Sequence, residues 1–125
     1  MYMGKIEVGE YVRTNKGRIG KVVEIRLGFN KDLQLYQDIY KLDNGLWTIL
    51  DYIVKHSKQL IDLIEVGDIV RIRTGLYYSF MEFIDNEECL LILKEKVKEF
   101  WTIEEILARE QFEANCYKVG GEYEC

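Results

Sequence analysis

Six arginines, Arg13, Arg18, Arg26, Arg71, Arg73 and Arg109, share this chain with two tryptophans, nine tyrosines and five phenylalanines. A guanidinium grips phosphate bidentately and a flat ring stacks on a base, so these residue types can hold a nucleotide. The groups that would cut one are scarce. His56 is the single histidine and, between Lys55 and Ser57, is expected in a polar connection. Ser57 and Ser79 sit in no nucleophile elbow. Cys89, Cys116 and Cys125 form no C-x-x-C pair and read as reduced thiols, with neither a disulfide framework nor a thiolate metal site. The adjacent carboxylates Glu87 with Glu88 and Glu104 with Glu105 point apart on a strand or lie far round a helix, and are expected as solvated faces. Gly17-Arg18-Ile19-Gly20-Lys21 lacks the glycine spacing and the closing Ser or Thr of a phosphate loop. Binding rather than catalysis is the expected chemistry, with no cofactor and no metal.

The balance of charge narrows what is bound. With 17 Lys and Arg against 22 Asp and Glu, the 125-residue chain carries −5 at neutral pH, which disfavours a nucleic-acid polymer. A small anionic ligand needs only two or three arginines. Hydrophobic residues at 48% and charged residues at 31% suit a globular protein. No apolar run reaches the length of a membrane span, and the opening residues lack the apolar stretch of a signal peptide, so a cytosolic protein is expected. Proline is absent and alanine occurs only at Ala108 and Ala114, which fits an A+T-rich coding sequence and leaves turns to Gly, Asn and Asp.

The elements that must position these groups are mostly strands. Residues 10–14, the turn Asn15-Lys16-Gly17 and residues 18–25 form a hairpin, with Gly20 permitting a bulge or a close strand crossing. A looser stretch, 27–33, precedes a strand over 35–42, and Asp43-Asn44-Gly45 turns into a strand over 46–50. This reads as an SH3-like or KOW-like bent antiparallel sheet. Ile6-Glu7-Val8-Gly9-Glu10-Tyr11-Val12-Arg13 recurs as Ile64-Glu65-Val66-Gly67-Asp68-Ile69-Val70-Arg71, identical at six of eight positions. A second β unit is therefore expected, with strands over 77–84 and 89–93. Thr102 and Glu105 make a capping box that predicts a short helix over 103–108. Residues 109–113 add a further helical turn, and 116–119 an edge strand. The fold class is α+β, mostly antiparallel β, with an N-terminal unit over 1–58 and a second β unit with short C-terminal helices over 59–125.

Residues 8–14 with 17–22, 56–68, Arg109-Glu110-Gln111-Phe112-Glu113 and Cys116-Tyr117-Lys118-Val119 resemble short phage proteins of low-G+C bacteria, among them the first described family of anti-Thoeris proteins. The resemblance implies a sponge in the host bacterial cytoplasm. Such a protein binds the cyclic ADP-ribose isomer made by a TIR-domain enzyme and holds it uncleaved. Some members are implied to bind cyclic di- or trinucleotides at a separate site, through a hexamer. Arg109 is the residue carried over by a matching motif, as a phosphate contact at the start of a helical turn. Pairing of Arg109 with Glu105 is the structural alternative. Arg26, Trp47, Tyr78 and Phe83 are chosen as ligand contacts from their chemistry and their places near loops or strand ends. A homo-oligomer, dimer or hexamer, with the ligand near an interface is expected. The alternatives are a nuclease inhibitor using acidic faces as a nucleic-acid mimic, and a KOW-type RNA-binding barrel, which the acidic balance disfavours.

Overall fold

The computed structural model describes residues 5–32, 34–76, 78–114, 118–119 and 122–123. It is mixed α+β, mostly antiparallel, and divides into two compact units, Met1–Leu63 and Ile64–Cys125. The division falls five residues beyond the 58/59 boundary expected above.

In the first unit five strands, β1 (Tyr11–Thr14), β2 (Ile19–Asn30), β3 (Leu35–Leu42), β4 (Trp47–Ile49) and β5 (Ile53–Ser57), form one sheet in the order β4-β3-β2-β1-β5. β2 pairs with β1 through 19–21 and with β3 through 22–30, and a bulge between Val22 and Glu24 lets one strand serve both neighbours. The stretch 27–33 is thus not a loose connection: β2 runs on to Asn30. Its alternation is hidden because Gly28 replaces a side chain where the Ile39 side chain lies across the backbone. Gly20 is the close crossing expected, with the Leu42 Cβ 2.9 Å from where its own Cβ would stand. Ile6, Val12, Val22, Tyr40, Leu42 and Ile53 make the core of this unit. His56 belongs to β5 rather than to a polar connection, and lies half-buried opposite Val12.

The second unit holds β6 (Ile69–Thr74), β7 (Tyr78–Phe83) and β8 (Trp101–Leu107) in the order β7-β6-β8, with α1 (Glu87–Glu99) between β7 and β8 in the chain. α2 (Arg109–Ala114) follows, and β9 (Lys118–Val119) pairs antiparallel with β10 (Glu122–Tyr123). Cys116 and Tyr117 of the expected edge strand lie outside the described residues.

Two expectations are corrected here. Residues 89–93 are helix, not strand. The Asn86 side chain accepts from the Cys89 N–H at 2.9 Å, Glu87 and Glu88 occupy the positive end and Lys96 and Lys98 the negative end, and Leu90 and Leu93, one turn apart, are buried. Residues 103–108 are strand, not helix. The capping box of Thr102 and Glu105 loses to non-local pairing, because Glu105 reaches Arg71 at 3.0 Å and Glu104 reaches Arg73 at 3.1 Å across the sheet. A bulge between Arg71 and Ile72 makes both pairs possible. Neighbouring acids on a regular strand point to opposite faces, but the bulged Glu104 turns beside Glu105 toward two arginines that share a face.

The repeated octet builds the same turn twice. The Glu10 N–H donates to the Glu7 carbonyl at 3.2 Å and the Asp68 N–H to the Glu65 carbonyl at 3.1 Å, while the third residues, Gly9 and Gly67, take φ of +98° and +100°. Only glycine adopts that conformation without strain, as a type II turn requires. The acid closes each turn: the Glu7 N–H donates to the Glu10 carboxylate at 2.6 Å and the Glu65 N–H to Asp68 at 2.8 Å. Ile6 and Ile64, and Val12 and Val70, are buried alike. The arginines then diverge. Arg13 is fully buried and donates to the Leu63 carbonyl at 3.0 Å, whereas Arg71 lies on the sheet face with Glu105.

Candidate functional site

The first unit carries a cleft of about 280 Å³ whose walls come from three turns. The β1–β2 hairpin supplies Thr14, Lys16 and Arg18, the β3–β4 turn supplies Leu46, Trp47 and Thr48, and the 3₁₀ turn Leu50–Tyr52 supplies Tyr52. Local bonds fix each of them. Gly17, with φ of +76°, closes the first turn through its N–H on the Thr14 carbonyl at 3.0 Å, and the Thr14 hydroxyl accepts from the Arg18 N–H at 3.1 Å. The Asn15 N–H donates to the Tyr52 carbonyl at 2.8 Å, tying the hairpin tip to the 3₁₀ turn. The β3–β4 turn is anchored to β2 by Asp43, whose N–H donates to the Lys21 carbonyl at 2.9 Å and whose carboxylate accepts the Lys21 N–H at 3.0 Å.

The cleft pairs positive charge and rings with unspent polar groups. Among the described residues the Arg18 guanidinium makes no ion pair, and Lys16 stands beside it on the same loop. The Trp47 ring is set among further cations, with the Arg26 guanidinium carbon 5.3 Å and the Lys41 ammonium 5.7 Å from its centroid. Thr48 is only 8% exposed, yet its hydroxyl makes no hydrogen bond among the described residues and it lines the cleft. That hydroxyl keeps access to solvent, so it is open to a polar group of a ligand. The Asp43 carboxylate is already occupied by the β2 backbone, so the lining itself presents no carboxylate to an incoming anion.

The residues expected from sequence are distributed over both units. Arg26 and Trp47 are brought together by the β2–β3–β4 register, with Arg26 also paired to Glu24, and Trp47 lines the cleft. Tyr78 and Phe83 occupy opposite ends of β7, each more than half exposed. Arg109 begins α2, half exposed but already paired. Its guanidinium meets Glu65 at 3.1 Å, its stem packs over Gly67, and its backbone N–H donates to Asp68 at 3.0 Å. The alternative partner Glu105 is taken by Arg71. Arg18, Lys16, Thr14, Thr48 and Tyr52 line the cleft but are not among the ligand contacts expected from sequence. The loop segment Asn15-Lys16-Gly17-Arg18, two cations around a glycine turn, is the one local signal that could have pointed to them.

A second cleft, about 370 Å³, opens over Ile69, Arg71, Met81 and Leu107 of the second unit. Its arginine is already neutralised by Glu105, so it offers an anion less than the first. Among the described residues no group of His, Cys, Asp or Glu could hold a metal ion, Cys89 is a free thiol, and no helix is long and apolar enough to cross a membrane. Comparison of the chain with protein-family models, with curated proteins and with solved structures returns no match.

Proposed function

We propose that this protein binds a small cyclic nucleotide, a cyclic ADP-ribose isomer, in the cleft of its first unit and holds it uncleaved, withdrawing an immune signal from a phage-infected bacterial cell. The observation that carries the reading is the Arg18 guanidinium without an ion pair and the Thr48 hydroxyl without a hydrogen bond on one cleft walled by Trp47 and Tyr52. The arginine matches a pyrophosphate, the rings match an adenine face, and the threonine hydroxyls match ribose oxygens. The identity of the signal rests on the family resemblance, and the size and charge of the ligand on the cleft. To compete with a sensor, the sponge needs a Kd near 10 nM, about −11 kcal/mol. Nucleic-acid mimicry draws less support, because Glu104 and Glu105 are engaged with Arg73 and Arg71.

The test is to incubate purified protein with extract of cells carrying an activated TIR enzyme, wash it, release the ligand by heat and identify it by mass spectrometry. An intact cyclic nucleotide is expected. Arg18→Ala and Trp47→Ala are each expected to weaken calorimetric affinity at least tenfold, the loss of a charged contact or of a stacked ring being worth about 1–3 kcal/mol. Arg109→Ala, which removes a partner of Glu65, is expected to change affinity less than either. Recovery of no nucleotide, or unchanged affinity in both cleft variants, overturns the reading.

A further inference from the structure

Among the asparagines of the described residues, Asn15, Asn30, Asn44 and Asn86, Asn44 is followed by glycine, in the turn between β3 and β4. Its side-chain carbonyl accepts the Leu46 N–H at 3.1 Å. This Asx turn closes a small ring whose members include both the side-chain amide carbon Cγ of Asn44 and the backbone nitrogen of Gly45, so the two are held near each other. Asn30 makes the same bond, accepting the Asp32 N–H at 3.0 Å, but the residue between them is Lys31, whose Cβ crowds the approach to its nitrogen. Gly45 has no Cβ, and nothing lies within 4 Å of where one would stand. Asn44 and Gly45 are both exposed. Asn15 precedes Lys16, and Asn86 precedes Glu87 with its carbonyl committed to the cap of α1.

We propose that Asn44 is a site of self-modification, at which the Gly45 nitrogen attacks the asparagine side chain and the turn ages into an isoaspartyl link. The Gly45 N–H gives its proton to hydroxide, the nitrogen lone pair forms a bond to Cγ, and the bond from Cγ to Nδ2 breaks, Nδ2 leaving as ammonia with a proton from water. Water then opens the cyclic succinimide. Opening at the main-chain carbonyl leaves isoaspartate, with the chain running through Cβ and Cγ, and opening at the side-chain carbonyl leaves aspartate. Nothing is oxidised or reduced, and either product carries a new negative charge. The Gly45 N–H donates to the Leu42 carbonyl at 2.9 Å. The turn must therefore open before the proton leaves, and the folded chain ages several-fold more slowly than a free peptide of the same residues. The Leu42 N–H donates to the Leu46 carbonyl at 2.8 Å, closing the turn, and Nδ2 of Asn44 donates to the Ile19 carbonyl at 3.4 Å, tying it to β2. The extra main-chain carbon of isoaspartate breaks the first bond and the loss of ammonia removes the second, just before Trp47 of the cleft wall. The inference does not rest on the nucleotide reading, since its test measures mass and amide exchange and uses no ligand.

The full chain is incubated at about 37 °C and about pH 8, for about ten times as long as a synthetic peptide of residues 40–50 needs to convert, then digested at low pH and mapped by mass spectrometry. The peptide that holds Asn44 should gain about 1 Da, with isoaspartate beside aspartate, while Asn15, Asn30 and Asn86 stay unchanged. In water enriched in oxygen-18 the gain should be about 3 Da, because the opening of the ring takes its oxygen from solvent. The aged chain, separated by its added charge, should exchange the Leu42 and Leu46 amides at least tenfold faster than the fresh chain. Asn44→Asp carries the charge without the extra carbon and keeps an acceptor for the Leu46 N–H, so its amides should stay protected. An Asn44 that survives the incubation, conversion shared evenly with Asn30, or aspartate without isoaspartate overturns the inference. So does an aged turn whose two amides exchange no faster than those of Asn44→Asp. Should that variant fail to fold, the fresh chain is the reference for the exchange comparison.

Discussion

Glu10 is the most constrained carboxylate of the first unit. Only 7% exposed, it accepts from the Glu7 N–H at 2.6 Å and, when the imidazole proton sits on Nδ1, from His56 at 2.8 Å. Burial alone would raise its pKa. The His56 hydrogen bond, the backbone bond from Glu7 and the charges of His56 and Lys58 outweigh that and hold the carboxyl below its ordinary value of 4.5. A folded-state pKa below the unfolded one means that the ionised group stabilises the fold above pH 4.5, and that this contribution is lost as pH falls through the folded value. Glu10→Gln should therefore be less stable at neutral pH and lose less further stability on acidification. Urea denaturation from about pH 6 to about pH 3 checks both, and parallel acid profiles for the two proteins would refute the assignment. The corresponding acid of the second unit, Asp68, accepts from the backbone N–H of Arg109 where Glu10 meets the ring of His56. The same turn thus draws different supporting residues into its two copies. In the second copy it is Glu65 that ties up the guanidinium the family resemblance singles out, whereas Arg18, on an ordinary hairpin loop, makes no ion pair among the described residues.

At the scale of elements, local signals succeeded where nothing distant competed. Strand β3 was legible from the alternation over 35–42, the first hairpin from Asn15-Lys16-Gly17, and the start of α2 from 109–113. They failed where a contact far along the chain decided the matter. The capping box at Thr102 and Glu105 is a genuine helix signal, but Arg71 and Arg73 hold the two acids from more than thirty residues away. The run Cys-Leu-Leu-Ile-Leu was misread for a different reason: it has no alternation, and its helical character lies in local signals that flank it, the Asn86 cap and the charge gradient from Glu87 to Lys98. Asn86→Ala should cost about 1 kcal/mol, and a thermal-unfolding comparison in which the variant matches the parent chain would show that α1 does not depend on the cap. The cleft was illegible for a similar reason. Trp47 and the cations are visible as types, but Thr14, Thr48 and Tyr52 become neighbours only when three separate turns are stitched by the bonds of Asn15 and Asp43.

For the molecule as a whole, the charge of −5 and the cleft agree in favouring a small anionic ligand over a polymer, since two cations suffice for a pyrophosphate and a polymer would meet the remaining acids. The repeated octet has a different reach, into how the chain folds. Two nearly identical strand entries, each with a buried Ile before the turn and a buried Val after it, are expected to compete for each other's neighbouring strands while both units are incomplete, within one chain or between two. Nothing in Ile-Glu-Val-Gly itself tells the copies apart, so sorting falls to the residues that differ, Glu10 and Tyr11 in one, Asp68 and Ile69 in the other. Tyr11→Ile makes the octets alike at seven positions of eight. Its refolding yield from denaturant should fall with protein concentration more steeply than that of the parent chain, a signature of strands claimed by the wrong neighbour. The glycine turn that gives each unit its start thereby also makes faithful assembly a problem of discrimination, in which, within the octet, the two copies differ only at Glu10 and Tyr11 against Asp68 and Ile69.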